Sequence, residues 1–286
     1  MRNLKKIIKR FFFRIRDIRY LVGDYNILIP STHTLPINQI KYKNYDKKIG
    51  SIVAIVEKFS GAASLIDIGA NVGDTAAMMR TFSSSTIYCI EGDTFFLKYL
   101  RRNIEIIPDV KIFDSFVGVE NMKIDYVVER NGGTARLKVS KGAQSKCKFI
   151  GLSEIVLEVH NQIGLVKIDT DGFDFDIILG NKIFFETNLP AIYFEYDIGF
   201  NENSFKDSLD TILFLENLNY NFIVYDNYGN LVDFLFDKCY DNFLKLNQYL
   251  RSSLKFGGGI YYFDVFASTN KDMIKSIVAD DNSRHI

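Results

Sequence analysis

Four acidic side chains close four apolar runs in this chain: Asp67 in L-I-D, Glu91 after T-I-Y-C-I, Asp169 after L-V-K-I, and Glu195 after A-I-Y-F. Such runs predict buried strands. An open α/β sheet binds its ligands beyond the carboxyl ends of its strands, so the four carboxylates would face one crevice. The first run continues as L-I-D-I-G-A-N-V-G-D-T over residues 65–75. Gly69 and Gly73 let the backbone turn sharply and let a ligand approach the main chain closely. A helix opening at Val72 to Asp74, just before Thr75, would aim its free N–H groups at that ligand.

The spacing selects among nucleotide-like cofactors. A dinucleotide wants G-x-G-x-x-G, so that its pyrophosphate can rest on the helix N-terminus. Here the turn is D-x-G-x-N-x-G, with Asn71 where the second glycine would stand. A carboxylate is a poor neighbour for pyrophosphate and a good one for an amine. S-adenosylmethionine has an amine, a sulfonium and a ribose diol, and no phosphate. Glu91 follows the turn by the roughly twenty residues at which a strand-end acid takes both ribose hydroxyls. Its plain alternative is a solvated loop carboxylate; the pairing with Asp67 and the glycine turn favours ribose. Gly92 comes directly after. Val110 to Val117 reads as the third strand, with Asp114 and Ser115 as adenine-side contacts.

The matching segments resemble the FkbM-type S-adenosylmethionine-dependent methyltransferases. They are residues 65–75, Y-C-I-E-G-D (88–93), V-K-I-D-T-D-G-F-D (166–174) with the I-I-L-G that follows, and A-I-Y-F-E-Y-D (191–197). The third is similar to the family's K-I-D-x-E-G-x-E pattern, with Asp171 and Asp174 replacing glutamates. G-L-S-E-I at 151–155 departs from the family's T-L-D, Ser153 replacing the acid, and no role is assigned to that loop. The resemblance implies an α/β fold of the class I methyltransferase, Rossmann-like type. That means a mostly parallel seven-stranded sheet with helices on both faces.

Methyl transfer to a hydroxyl needs in-line positioning and a general base within hydrogen-bond reach. The candidates are Asp169, Asp171, Asp174, Glu195 and His160. Asp169 has the best expected position and Glu195 the next. His33 and His285 are set aside as terminal. Acids gathered this closely raise one another's pKa by like-charge repulsion. Asp169, Asp171, Asp174 and Asp176 could instead offer oxygen ligands to a divalent cation. Gly172 falls at position four of such a loop instead of six, so a calcium loop is not expected. A divalent ion assisting an oxygen acceptor is the disfavoured alternative.

The elements that must position these residues can be outlined. Tyr42 to Phe59 reads as a helix feeding the first strand. Met122 to Val139, with its Asn131-Gly132-Gly133 turn signal, predicts a hairpin inserted at about 120–140, a candidate lid over the substrate. Ser204 to Asn217 predicts a helix with Ser204 as N-cap. Leu231 to Leu254 reads as helical in part and covers the substrate side. Phe222 to Tyr225 and Ile260 to Phe266 are the last two expected strands. The expected organisation is a basic amphipathic helix and connector (1–40), a methyltransferase domain (41–270), and a frayed tail (271–286).

Length fits one large α/β domain with an appendage. Cys89, Cys147 and Cys239 are widely spaced, without a metal pattern, and read as reduced thiols of a cytoplasmic protein. Net charge is zero, yet residues 1–20 carry eight Lys or Arg and one Asp. Leu4, Ile7, Ile8, Phe11, Phe12, Ile15 and Ile18 form one helical face there. The segment is too charged to span a bilayer. A basic amphipathic helix can lie against an anionic membrane, here the inner face. Equally, it can pack on the domain or on a second copy in a homodimer. Nucleic acid is not expected, since the rest of the chain is acidic. Three functions compete: an O-methyltransferase of a sugar hydroxyl in a surface glycan or its lipid-linked precursor, an O-methyltransferase of a small secondary metabolite, and a non-catalytic or metal-binding protein on the same fold.

Overall fold

Strands whose residues are buried on both faces read as unbroken apolar runs, and the centre of this molecule is built from them. The computed structural model describes residues 17–42, 45, 47–61, 63–118, 126–131, 133–139, 148–159 and 161–283. The central sheet holds β1 (Ser64–Ile68), β2 (Ile87–Glu91), β3 (Val110–Asp114), β4 (Ile163–Ile168), β5 (Ala191–Tyr196), β6 (Asn221–Asp226), β7 (Leu231–Leu235) and β8 (Phe263–Ser268). Its order is β7-β6-β8-β5-β4-β1-β2-β3. β1 to β5 are parallel, and β8 runs antiparallel between β5 and β6. The chain winds from β1 outward to β3 and then returns to β4 on the other side of β1. That switch point opens a crevice above β1 and β4.

One face of the sheet packs on α1 (Lys48–Ser60), α2 (Asp74–Phe82) and α3 (Thr94–Asn103). The other packs on α4 (Asp174–Gly180), α5 (Ser204–Asn217) and α6 (Tyr240–Phe256). A last helix, α7 (Lys271–Ser283), returns to the first face and lies on α1.

The architecture expected from the sequence is present, with corrections. The sheet has eight strands instead of seven. The added edge strand β7 lies in the segment read as partly helical, and pairs antiparallel with β6. Of the tail expected to fray, Lys271–Ser283 is a packed helix: Met273, Ile274, Ile277 and Val278 are buried, and Asp281 forms a buried ion pair with Lys48 of α1. Ile18 and Arg19, expected at the end of the basic helix, belong to a hairpin of Ile18–Val22 with Tyr25–Ile29. Asn103 pins that hairpin down: its amide exchanges hydrogen bonds with Leu28 and also donates to the Val72 carbonyl. Residues 1–16 of the basic segment lie outside the described residues. The helix before β1 begins at Lys48, after a separate short helix Leu35–Lys41. The third strand ends at Asp114, and Phe116–Val117 leaves to pair with Phe149–Ile150. The inserted hairpin forms, Tyr126–Asn131 against Thr134–Val139. At α5 the N-cap is Asn203, and the side chain of Asn201 accepts from the N–H groups of Asn203 and Ser204. Among the described residues, no helix is long and apolar enough to cross a membrane.

Candidate active site

The turn after β1 is built as its residues require. Gly69 has φ +81°, and a Cβ there would lie 1.9 Å from the Asp169 carbonyl oxygen, so the two loops touch backbone to backbone. Asn71 takes a left-handed conformation, φ 50°, which asparagine tolerates. Its N–H donates to Glu91 Oε2 at 2.8 Å. Glu91 Oε1 accepts from the Asp93 N–H at 2.6 Å. Glu91 is thereby fixed at the end of β2, buried, with one lone pair on each oxygen left to face a ligand. Burial pushes its pKa up to about 7, against the backbone donors. Gly73 caps α2, and Asp74 opens its first turn. An acid there already complements the helix dipole and would repel a phosphate.

An inner cavity of about 50 Å³ is lined by Gly69, Asn71, Glu91, Gly92, Ser115 and Phe116, and is closed by Ala135 and Leu137 of the inserted hairpin. Two buried polar atoms in these walls, Ser115 Oγ and Asn71 Oδ1, have no hydrogen-bond partner among the described residues. A Cβ at Gly92 would strike the Phe116 ring at 2.3 Å, so the glycine lets that aromatic wall close in. These features fit a nucleoside: a carboxylate for a diol, an aromatic wall, and orphaned polar atoms for ring edges. Asp114 is not part of this wall; it is ion-paired with Arg101 at 2.9 Å on the exposed side.

An outer cavity of about 300 Å³ adjoins the first and shares Gly69, Asn71, Asp169 and Asp171 with it. Asp74, Thr75 and Glu195 line it too. Glu195 is driven well above the ordinary carboxylate range, by burial first and then by Asp169, Asp174, Asp171 and Asp197. Asp171 is pushed up to about 7 by burial and Asp169, against Arg136, whose Nε is 3.8 Å from it. Asp67 does not line either cavity. It is fully buried, faces Lys167 Nζ at 3.6 Å, and has no closer hydrogen-bond partner among the described residues. Burial raises its pKa to about 6. Asp174 is a clamp: it accepts from Thr170 N–H and Oγ1 and from the Glu195 N–H. Asp176 lies on α4, and no group of three or more His, Cys, Asp or Glu among the described residues is arranged to hold a metal. His160 and Cys147 lie outside the described residues.

Beyond the residues that the sequence marks, His33, Arg136, Asp264 and Lys167 also line the outer cavity. His33, set aside as terminal, reaches the outer cavity from the connection after the N-terminal hairpin, its Nδ1 accepting from the Leu35 N–H at 3.2 Å. Arg136 comes from the inserted hairpin. Asp264 comes from β8, where it is the register partner of Glu195; burial and then Asp169 push it up to about 8. Lys167 was visible in V-K-I-D but given no role.

A family model described as the methyltransferase FkbM domain matches residues 67–222. None of the curated proteins matches the chain. Among solved structures, the chain is similar to a methyltransferase FkbM from Methylobacillus flagellatus KT, with 14% identity and a TM-score of 0.41 over 60% of this chain and 43% of that one. It is also similar to the plantazolicin methyltransferase BamL, with 10% identity and a TM-score of 0.41 over 83% and 90%. M. jannaschii TYW2 gives 9% identity and a TM-score of 0.39 over 88% and 84%. The matched segment runs from the acid of β1 through β4 and β5 to the start of β6, and by it the chain belongs to the FkbM methyltransferase family.

Proposed function

We propose that the chain binds S-adenosylmethionine in the inner cavity and its junction with the outer one, and methylates an oxygen held in the outer cavity. The carrying observation is Glu91, locked by two backbone donors at the end of β2 beside the unpartnered Ser115 Oγ and Asn71 Oδ1. In this reading Glu91 takes the ribose hydroxyls, Ser115 the adenine edge, and Gly69, Asn71, Gly73, Asp74 and Thr75 the path toward the amino-acid end.

The cofactor supplies an electrophilic methyl group. The chain's own residues hold the acceptor in line and take its proton. Lys167 occupies Asp169 Oδ2 at 3.0 Å, so Asp169 serves as a fixed anion near the cofactor's cationic centre. Glu195, with its raised proton affinity, is the better general base. With the cofactor bound, its methyl would go to the acceptor oxygen, its sulfur would keep the bonding pair, and Glu195 would take the hydroxyl proton.

The acceptor in this proposal is a sugar hydroxyl of a surface glycan or its lipid-linked precursor. Its support is the polar outer cavity with Tyr261 and Tyr262 in its wall and the Lys- and Arg-rich sequence of residues 1–16. Those residues would hold a cytoplasmic enzyme against the inner face of the membrane.

Calorimetric titration with S-adenosylmethionine, for the parent and Glu91→Ala, tests the cofactor. Binding by the parent that is lost in the variant supports the reading, and no binding by folded parent defeats it. Transfer of labelled methyl to lipid-extractable glycan, and not to small-molecule fractions, tests the acceptor.

A further inference from the structure

Lys167 stands in the middle of a parallel sheet, beside Asp67 on β1 and Tyr193 on β5. It is 6% exposed. A charge buried there is costly unless paired, and a leucine such as Leu165, two residues earlier on the same face, would pack without that cost. The ammonium does not tie a helix to the sheet. Its partners are Asp67 Oδ1 on β1, at 3.6 Å, and Asp169 Oδ2 at the end of its own strand, at 3.0 Å. Both acids flank the point where Gly69 rests on the Asp169 carbonyl. Lys167 and Asp169 also both line the outer cavity.

We propose that Lys167 is a positioning residue for the amino-acid end of the cofactor: its ammonium, backed by the buried Asp67, holds the Asp169 carboxylate in place at the cavity wall to receive the cofactor's cationic group. This rests on the S-adenosylmethionine reading above. The groups that face the pair come from every neighbouring element: Cys89 on β2, Asp74 at the start of α2, Tyr193 and Glu195 on β5, and Asp264 on β8. The inserted hairpin adds Arg136, which pairs with Asp171, and the N-terminal connection adds His33 at the cavity wall. Burial and the charges of Asp74 and Asp169 already raise Asp67, and Lys167 opposes them. Without the ammonium, Asp169 loses the partner that fixes its Oδ2, and Asp67 behind it, already raised by burial, keeps its proton to higher pH.

The test compares two probes on the full chain by titration calorimetry. S-adenosylhomocysteine carries the amino-acid end; 5′-methylthioadenosine carries the same adenosine without it. Lys167→Met weakens S-adenosylhomocysteine by about tenfold or more at pH 7, the value of a hydrogen bond to a charged group, and leaves 5′-methylthioadenosine within about twofold. The ratio of the two affinities, in which any titration of Glu91 cancels, falls on the acid side at a midpoint about one pH unit above the parent's. If Lys167→Met does not fold, the Asp67→Asn/Lys167→Met double variant removes the unpaired carboxylate and gives the same selective loss. Equal weakening of both probes, an unchanged S-adenosylhomocysteine affinity, or an unmoved midpoint overturns the proposal. A parent that binds neither probe overturns the cofactor reading itself.

Discussion

Glu91 and Asp67 look equivalent in the sequence, each an acid closing an apolar strand, and their surroundings separate them. Glu91 is held by two N–H donors with its oxygens turned to a cavity, whereas Asp67 is sealed behind Lys167. Glu91→Ala is therefore expected to weaken S-adenosylmethionine and 5′-methylthioadenosine alike, by about tenfold or more, as measured by calorimetry; equal affinity in parent and variant would remove Glu91 from the ribose site. Glu91, Asp169 and Glu195 were legible because a strand and the acid that closes it are neighbours in sequence, and the fold rule carries them to one edge. Asp67 was legible as a position but not as an environment, since the lysine that covers it comes from another strand. His33 and Asp264 could not be found that way. One arrives from a hairpin before the family segment and the other on an antiparallel strand, and only the assembled sheet brings them to the cavity.

At the level of elements, the inserted hairpin stands beside the site. Arg130 grips the buried Asp93 carboxylate with a two-bond fork at 2.6 and 2.5 Å, and the Asn71 amide donates to the Gly133 carbonyl at 2.8 Å. Ala135 and Leu137 line the inner cavity, so the hairpin forms one wall of the path by which a cofactor would enter. A Cβ on Gly133 would come within 3.2 Å of Thr34 Oγ1, which places a Thr34→Cys/Gly133→Cys pair within disulfide reach. The oxidised pair should take up cofactor at least about tenfold more slowly in stopped flow than the reduced one; equal rates would show that the hairpin does not gate entry. The hairpin was legible from Asn131-Gly132-Gly133, and α5 from its apolar period. β7 and α7 were not. β7 has a half-buried pattern that makes sense only beside β6, and the apolar face of α7 acquires meaning only against α1. The Lys48–Asp281 pair that fixes α7 also takes a 2.7 Å hydrogen bond from the Tyr225 hydroxyl. Asp281→Ala strands a buried lysine and is expected to cost about 3–5 kcal/mol, read as a melting temperature lower by roughly 5–10 °C.

Across the whole molecule, the acids gathered at the carboxyl edge of the sheet set a pH dependence of stability. Seven carboxyls there are raised by burial: Asp67 and Asp174 to about 6, Glu91 and Asp171 to about 7, Asp264 to about 8, and Glu195 and Asp197 with them. In the unfolded chain the same groups titrate near their ordinary values, about 4. Between about pH 4 and pH 8 the folded protein therefore binds more protons than the unfolded one. With that sign, stability falls as pH rises through the window and is flat below it. The groups repel one another and share a single cleft, so their contributions overlap instead of adding. The expected result is a melting temperature lower at pH 8 than at pH 5 by on the order of 5 °C. A ligand that brings positive charge into the cleft relieves the repulsion where it is largest. S-adenosylmethionine should therefore raise the melting temperature more at pH 8 than at pH 5, while 5′-methylthioadenosine, which is uncharged, should not show that trend. A melting temperature that stays level or climbs from pH 5 to pH 8 in the ligand-free protein would mean that these carboxyls are not held above their ordinary range, and would remove the basis for Glu195 as a base at neutral pH.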